Sequence, residues 1–180
     1  MKKLLYLCIL LCLNTYSQTK YITKTGTVNF EASVPSFEEV KASNNSVTAI
    51  INTENGEFAA LVFVKGFRFK NALMEEHFNE NYAESDMYPK ATFKGKIENF
   101  DVSKLNEKTS YKISGKLTFH GKTKELKDVL IQITKEGDLI NFTGNFKALA
   151  SDYAIKIPKI VSSKIAEDIE VSFDFSMKKK

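Results

Sequence analysis

Two histidines are the first residues to weigh for chemistry, because imidazole is the side chain that most readily exchanges a proton near neutral pH. His77 lies in the run Glu75-Glu76-His77-Phe78-Asn79-Glu80. On a helix Glu76 and Glu80 share a face, and Glu80 stands three residues from His77, a set that could hold a hard cation. The run contains no second histidine, and zinc sites usually take several His or Cys ligands. A solvated acidic face is the plainer reading. His120 precedes Gly121, and His tolerates a positive φ better than most residues, which suits a tight turn more than catalysis. The chain has no Gly-x-Ser-x-Gly nucleophile motif and no Gly-x-x-x-x-Gly-Lys phosphate loop. The pairs Glu38-Glu39 and Glu75-Glu76 read as surface charges. The expectation is a protein with no catalytic residues, no metal and no cofactor.

Thiol chemistry is excluded by position. The two cysteines, Cys8 and Cys12, lie within residues 1–17, which read as a secretory signal peptide. Lys2 and Lys3 form a basic start, residues 4–13 are apolar, and small Thr15 and Ser17 precede a cut ahead of Gln18. Ten apolar residues fall short of the roughly 20 that span a bilayer. Leu11, just before Cys12, is larger than the residue expected ahead of a lipid-modified cysteine. The chain therefore divides into a leader, 1–17, and one domain, 18–180, with a periplasmic or secreted destination. The exported part would hold no thiol for a disulfide or a metal. Loss of Lys2 and Lys3 lowers the net charge from +4 to about +2. The remaining lysines are scattered, which argues against nucleic acid.

The elements that must position any site are strands. Residues 169, 171, 173, 175 and 177 are Ile, Val, Phe, Phe and Met, alternating with Glu, Ser, Asp and Ser. That is the period of a half-buried strand. Residues 111–119, 91–97 and 139–150 repeat the pattern, with Gly115, Gly95 and Gly144 on their apolar faces. Asn55-Gly56 marks a hairpin between 46–53 and 57–64. His120-Gly121 and Glu136-Gly137 bracket a strand at 122–134, and 26–34 opens the series. The count is about eight antiparallel strands. Two stretches depart from it, 69–81 with helical spacing of Phe69, Leu73, His77 and of Met74, Phe78, and 157–168 with Pro158 at a first helical turn. Both read as short helices between strands. Eight such strands can stack as a sandwich or close into a barrel. Inward glycines favour the barrel, since they let strands bend or leave interior room. Fourteen Phe and no Trp mean an aromatic interior or an aromatic-lined cavity.

Residues 79–96, NENYAESDMYPKATFKGK, and 116–124, KLTFHGKTK, together with 152–165, DYAIKIPKIVSSKI, carry a family resemblance. Over about residues 20–177 the chain resembles the YceI-like family of exported lipid-binding proteins. The resemblance implies an all-β, eight-stranded, lipocalin-like antiparallel barrel with two short helices near its mouth. It also implies a long isoprenoid chain, such as a polyisoprenoid or quinone tail, lying in the core. The chain departs from the family near its start, where Tyr21-Ile22-Thr23 and Gly26 to Phe30 hold neither the His-Ser pair nor the Trp that members often carry. Glu84, Ser85 and Asp86 are expected to tie loop backbone N–H groups, and Thr118, His120 and Thr123 to pin a hairpin. The expected ligand contacts are inward apolar residues: Phe30, Phe58, Val62, Phe67, Phe69, Phe93, Ile97, Ile113, Leu117, Phe119, Phe142, Phe146, Phe173 and Phe175. Three functions remain open on these residues. They are a carrier or sequestering protein for an apolar lipid that allows transient membrane contact, a ligand-free structural or interaction protein on the same fold, and a metal-assisted enzyme built on Glu76, His77 and Glu80. The sequence does not set an oligomeric state.

Overall fold

The computed structural model describes residues 20–106 and 109–180; the signal-peptide reading of residues 1–17 lies outside the described residues. Strands β1 (Lys20–Ser33), β2 (Lys41–Asn52), β3 (Glu57–Phe63), β4 (Arg68–Phe69), β5 (Lys90–Ile97), β6 (Ser110–Phe119), β7 (Lys122–Glu136), β8 (Leu139–Leu149) and β9 (Ile165–Lys179) run in chain order. Eight of them form a ring, β1-β9-β8-β7-β6-β5-β3-β2, closed by pairing of β1 with β2. Every pair is antiparallel. Closure removes the unpaired edges that a sandwich leaves open. β4 adds only Arg68 and Phe69 beside Ser43 and Ala42.

Alternation sets the inside and the outside. In β9, Phe175 and Met177 are buried while Asp174 and Ser176 face solvent. In β6, Tyr111 and Ile113 are buried and Lys112 is exposed. The inward glycines do not leave empty room, because aromatic rings lie over them. A Cβ on Gly144 would stand 2.6 Å from the Phe173 ring, and one on Gly95 would stand 2.8 Å from the Phe93 ring. Gly95 faces Gly115 directly across β5 and β6, and a Cβ on Gly115 would lie 2.5 Å from the Gly95 Cα. These two strands approach too closely there for side chains.

The ring has two unlike ends. The β2–β3, β5–β6 and β7–β8 connections and both strand termini, Lys20 and Lys179, lie at one end. The β1–β2, β3–β5, β6–β7 and β8–β9 connections lie at the other. The first end is packed solid by Ile51, Ile97, Leu105, Ile131, Ile133, Ile140 and Met177, all nearly inaccessible. The second end carries the long connections. One of these holds α1 (Ala72–His77), followed by one π-helical turn over Phe78–Tyr82. Asn71 caps α1 by accepting a hydrogen bond from the Leu73 N–H at 2.9 Å. Helix is thus present within the expected 69–81 stretch, but Phe69 belongs to β4.

The helix expected at 157–168 is absent. Residues 158–164 form successive turns, with the Val161 N–H donating to the Pro158 carbonyl at 3.0 Å and the Lys164 N–H to the Val161 carbonyl at 2.8 Å. β9 then starts at Ile165, where Ile165 pairs with Ser33 and Asp168 with Leu149. Ile157, Ile160 and Val161 are β-branched, and Ser162-Ser163 follow them, all poor helix formers. The ladder takes the last four residues, and what remains is too short to propagate a helix.

Candidate ligand-binding site

The second end of the ring opens into an apolar cavity of about 430 Å³. Its floor is an aromatic stack. Phe58 of β3 lies parallel to Phe142 of β8 with ring centroids 4.3 Å apart and planes 2° apart, and Phe175 of β9 lies 5.8 Å from Phe58. Alternation in three strands points these rings inward at one level, and pairing of Phe142 with Phe175 sets that level. The cavity lies on one side of the stack and the solid isoleucine-rich end on the other.

The walls rise from the same inward faces. Phe93 and Leu117 pair across β5 and β6, Phe146 and Phe173 come from β8 and β9, and Val62 and Ile113 fill between them. Phe119 reaches the wall near the mouth, 5.8 Å from the Tyr153 ring. Opposite, Phe30, Phe67 and Phe69 gather around Phe78 of the π turn at ring separations of 5.2 to 5.8 Å. Thirteen of the fourteen sequence-derived contact residues line this cavity. The exception is Ile97, which is 1% exposed and packs in the solid end, on the far side of the aromatic floor. It shares the inward face of β5 with Phe93, but the strand carries it past the floor.

Other lining residues escaped the sequence reading. Val28, Ala148 and Val171 continue inward faces already recognised, so strict extension of the alternation would have found them. Glu38, His77, Tyr82 and Lys164 stand at the mouth and lie on the connections between strands, outside the period-two alternation. His77 is exposed there. Among the described residues no group of three or more His, Cys, Asp or Glu is arranged to hold a metal ion, and Glu76, His77 and Glu80 form no such set.

One side of the mouth is tied by His120. Its Nδ1–H donates to the Tyr153 carbonyl at 2.8 Å, and its Nε2 lies 2.7 Å from Glu84 Oε2. His120 and Gly121 both have positive φ, 46° and 68°, as a two-residue type I′ hairpin demands. The Tyr88 ring sits 4.6 Å from His120 and covers Gly121, where a Cβ would meet it at 2.7 Å. Thr118 and Thr123 join across the hairpin by a 2.8 Å hydroxyl bond. The hairpin role of this motif is thus seen, and His120 does more, fastening the 84–88 loop to the turn at 150–153. The expected backbone ties of Glu84, Ser85 and Asp86 are not seen. Glu84 faces His120, Asp86 pairs with Lys65, and the buried Ser85 hydroxyl has no hydrogen-bond partner. The reason is geometric: a turn 36 residues further along brings a stronger partner to Glu84 than its own loop offers. Tyr153 lines the cavity; burial, with the charge of Asp152 adding to it, pushes its hydroxyl up to about 12.

The YceI-like domain family model matches residues 20–177. No curated protein matches the chain. Solved structures match it over most of their length. A polyisoprenoid binding domain from Saccharophagus degradans, implicated in plant cell wall breakdown, superposes with a TM-score of 0.74 at 15% identity, covering 89% of this chain and 98% of that one. BcnA of Burkholderia cenocepacia gives 0.70 at 17% identity, over 84% and 95%. The Campylobacter jejuni YceI protein gives 0.63 at 19% identity, over 82% and 88%.

Proposed function

Because the chain belongs to the YceI-like domain family, we propose that it holds a long apolar lipid, of the polyisoprenoid or isoprenoid-quinone kind, as an exported carrier or sequestering protein. The cavity carries this reading. It is walled by Phe, Val and Leu, with polar groups confined to its mouth, and such a space suits a ligand with a hydrocarbon body. An apolar protein cavity of about 150 Å³ takes up benzene. On that scale about 430 Å³ encloses roughly 17 carbons, three to four isoprene units, and a longer chain extends through the open end. The solved domain from Saccharophagus degradans, described as polyisoprenoid binding, supports the same ligand class.

In this reading the protein binds and does not catalyse, and it uses no cofactor. A ligand-free structural role would be favoured by an interior that Phe side chains fill unaided; the filled end of the barrel is packed mainly by aliphatic residues, and the Phe-lined cavity at the other end opposes that role. The test is organic extraction of the purified protein followed by mass spectrometry. Recovery of a stoichiometric isoprenoid supports the proposal. Repeated absence of lipid, together with failure to take up added prenols, overturns it. Export is tested by N-terminal sequencing of protein recovered outside the cytoplasm, where a mature start at Gln18 is expected.

A further inference from the structure

The exposed apolar side chains are not spread over this barrel. Seven large hydrophobic residues are exposed among the described residues, and six of them, Phe37, Phe63, Leu73, Met87, Leu149 and Ile160, lie on connections or strand ends around the open mouth. Only Leu130, on the wall in β7, lies elsewhere. Apolar surface concentrated at one end marks a place where something other than water is met.

The connection at 154–164, AIKIPKIVSSK, has the chemistry to say what that is. It holds Lys156, Lys159 and Lys164 and no acidic residue. All three lysines are exposed, and none stands within ion-pair distance of a carboxylate among the described residues. Ile160, between them, is 87% exposed, while its neighbours Ile157 and Val161 turn into the cavity. A protruding apolar side chain flanked by unpaired lysines fits an interface of hydrocarbon beneath anionic head groups. Lysine stems can lie along the apolar layer while their ammonium groups stay with the phosphates.

We propose that the open end of the barrel docks on an anionic lipid bilayer through residues 155–160, with Ile160 inserted and Lys156 and Lys159 on the head groups. Docking needs no cargo and so goes beyond the lipid-holding reading. If that reading holds, docking also brings the cavity mouth against the membrane, and an apolar chain passes between them without crossing water.

The test is vesicle flotation of the chain starting at Gln18, which keeps the whole ring. One set of vesicles is phosphatidylcholine alone and the other also carries phosphatidylglycerol. Binding should be much stronger to the anionic set and should weaken as salt rises. Lys156→Gln with Lys159→Gln should weaken partitioning to anionic vesicles by roughly 25-fold, about fivefold per lysine. Ile160→Ser should weaken it by roughly tenfold or more. Leu130→Ser, an exposed apolar change on the barrel wall, should leave it unaltered. None of these four side chains lines the cavity, so each variant is also extracted with organic solvent for bound lipid. Lost flotation with retained lipid supports docking as a separate function. Flotation of a parent that carries no lipid and takes up no added prenol keeps docking and removes the holding reading. Absence of binding to both vesicle types, equal binding to both, or unchanged binding of the Ile160 and lysine variants overturns the proposal and leaves the apolar end to a protein partner.

Discussion

Replacing Phe58 with alanine should deepen the cavity by about one isoprene unit and weaken the empty barrel by about 3–5 kcal/mol. The ring of Phe58 is stacked on Phe142 at 4.3 Å and stands 5.8 Å from Phe175 and 6.2 Å from Phe93, so no single neighbour can swing in to fill its place. A phenyl group leaves a space comparable to the roughly 150 Å³ that accepts benzene. Added to about 430 Å³, it would admit about six more carbons. The stability loss is read from chemical denaturation of delipidated protein. The length change is read by competing a series of prenols against a fluorescent apolar probe. In the parent, affinity should stop rising at three to four isoprene units enclosed; in the variant it should rise for one unit more and return part of the lost stability. A variant with the same length preference as the parent, or one destabilised by less than about 1 kcal/mol, would refute the view that Phe58 is the floor.

The Tyr153 hydroxyl is pushed up to about 12, against about 10 in an unfolded chain. The folded state therefore keeps its proton longer, so stability is fully present below about pH 10 and is lost by about 3 kcal/mol as pH climbs towards 12; Tyr153→Phe should flatten that part of a denaturation-versus-pH curve. His120→Ala removes both hydrogen bonds that join the 84–88 loop to the 150–153 turn and should cost about 2–4 kcal/mol. Amide exchange confined to those two segments should quicken, and unchanged exchange would mean the tie is unimportant. Gly115→Ala places a methyl group 2.5 Å from the Gly95 Cα, forcing β5 and β6 apart at about 1–3 kcal/mol. Gly137→Ala meets nothing within 4 Å but keeps φ at +60°, so only about 1–2 kcal/mol of backbone strain is expected in its melting curve.

Much of the fold is legible in the order of residues because strand period and turn chemistry are local. Alternation in 111–119, 139–150 and 169–177 assigns inside and outside without knowledge of the partner strands, and His120-Gly121 requires a turn wherever it stands. Ring closure is less local. Inward glycines pointed to it, but those sites are covered by Phe93 and Phe173 rings, and closure is seen only in the pairing of β1 with both β2 and β9. The 157–168 stretch has helical spacing yet forms turns and then strand, since the neighbouring ladder competes for its last residues.

The candidate site divides in the same way. Its chemical character, an aromatic and aliphatic interior, follows from side-chain types and period alone. Its depth does not. Phe93 and Ile97 occupy the same face of one strand, but only the level at which Phe58, Phe142 and Phe175 meet puts the first in the cavity and the second in the solid end. That level is set by strand register around the ring, a property of all eight strands at once. The partners of His120, 36 residues before it and 33 after, are likewise decided by where the closed ring brings the loops of its open end.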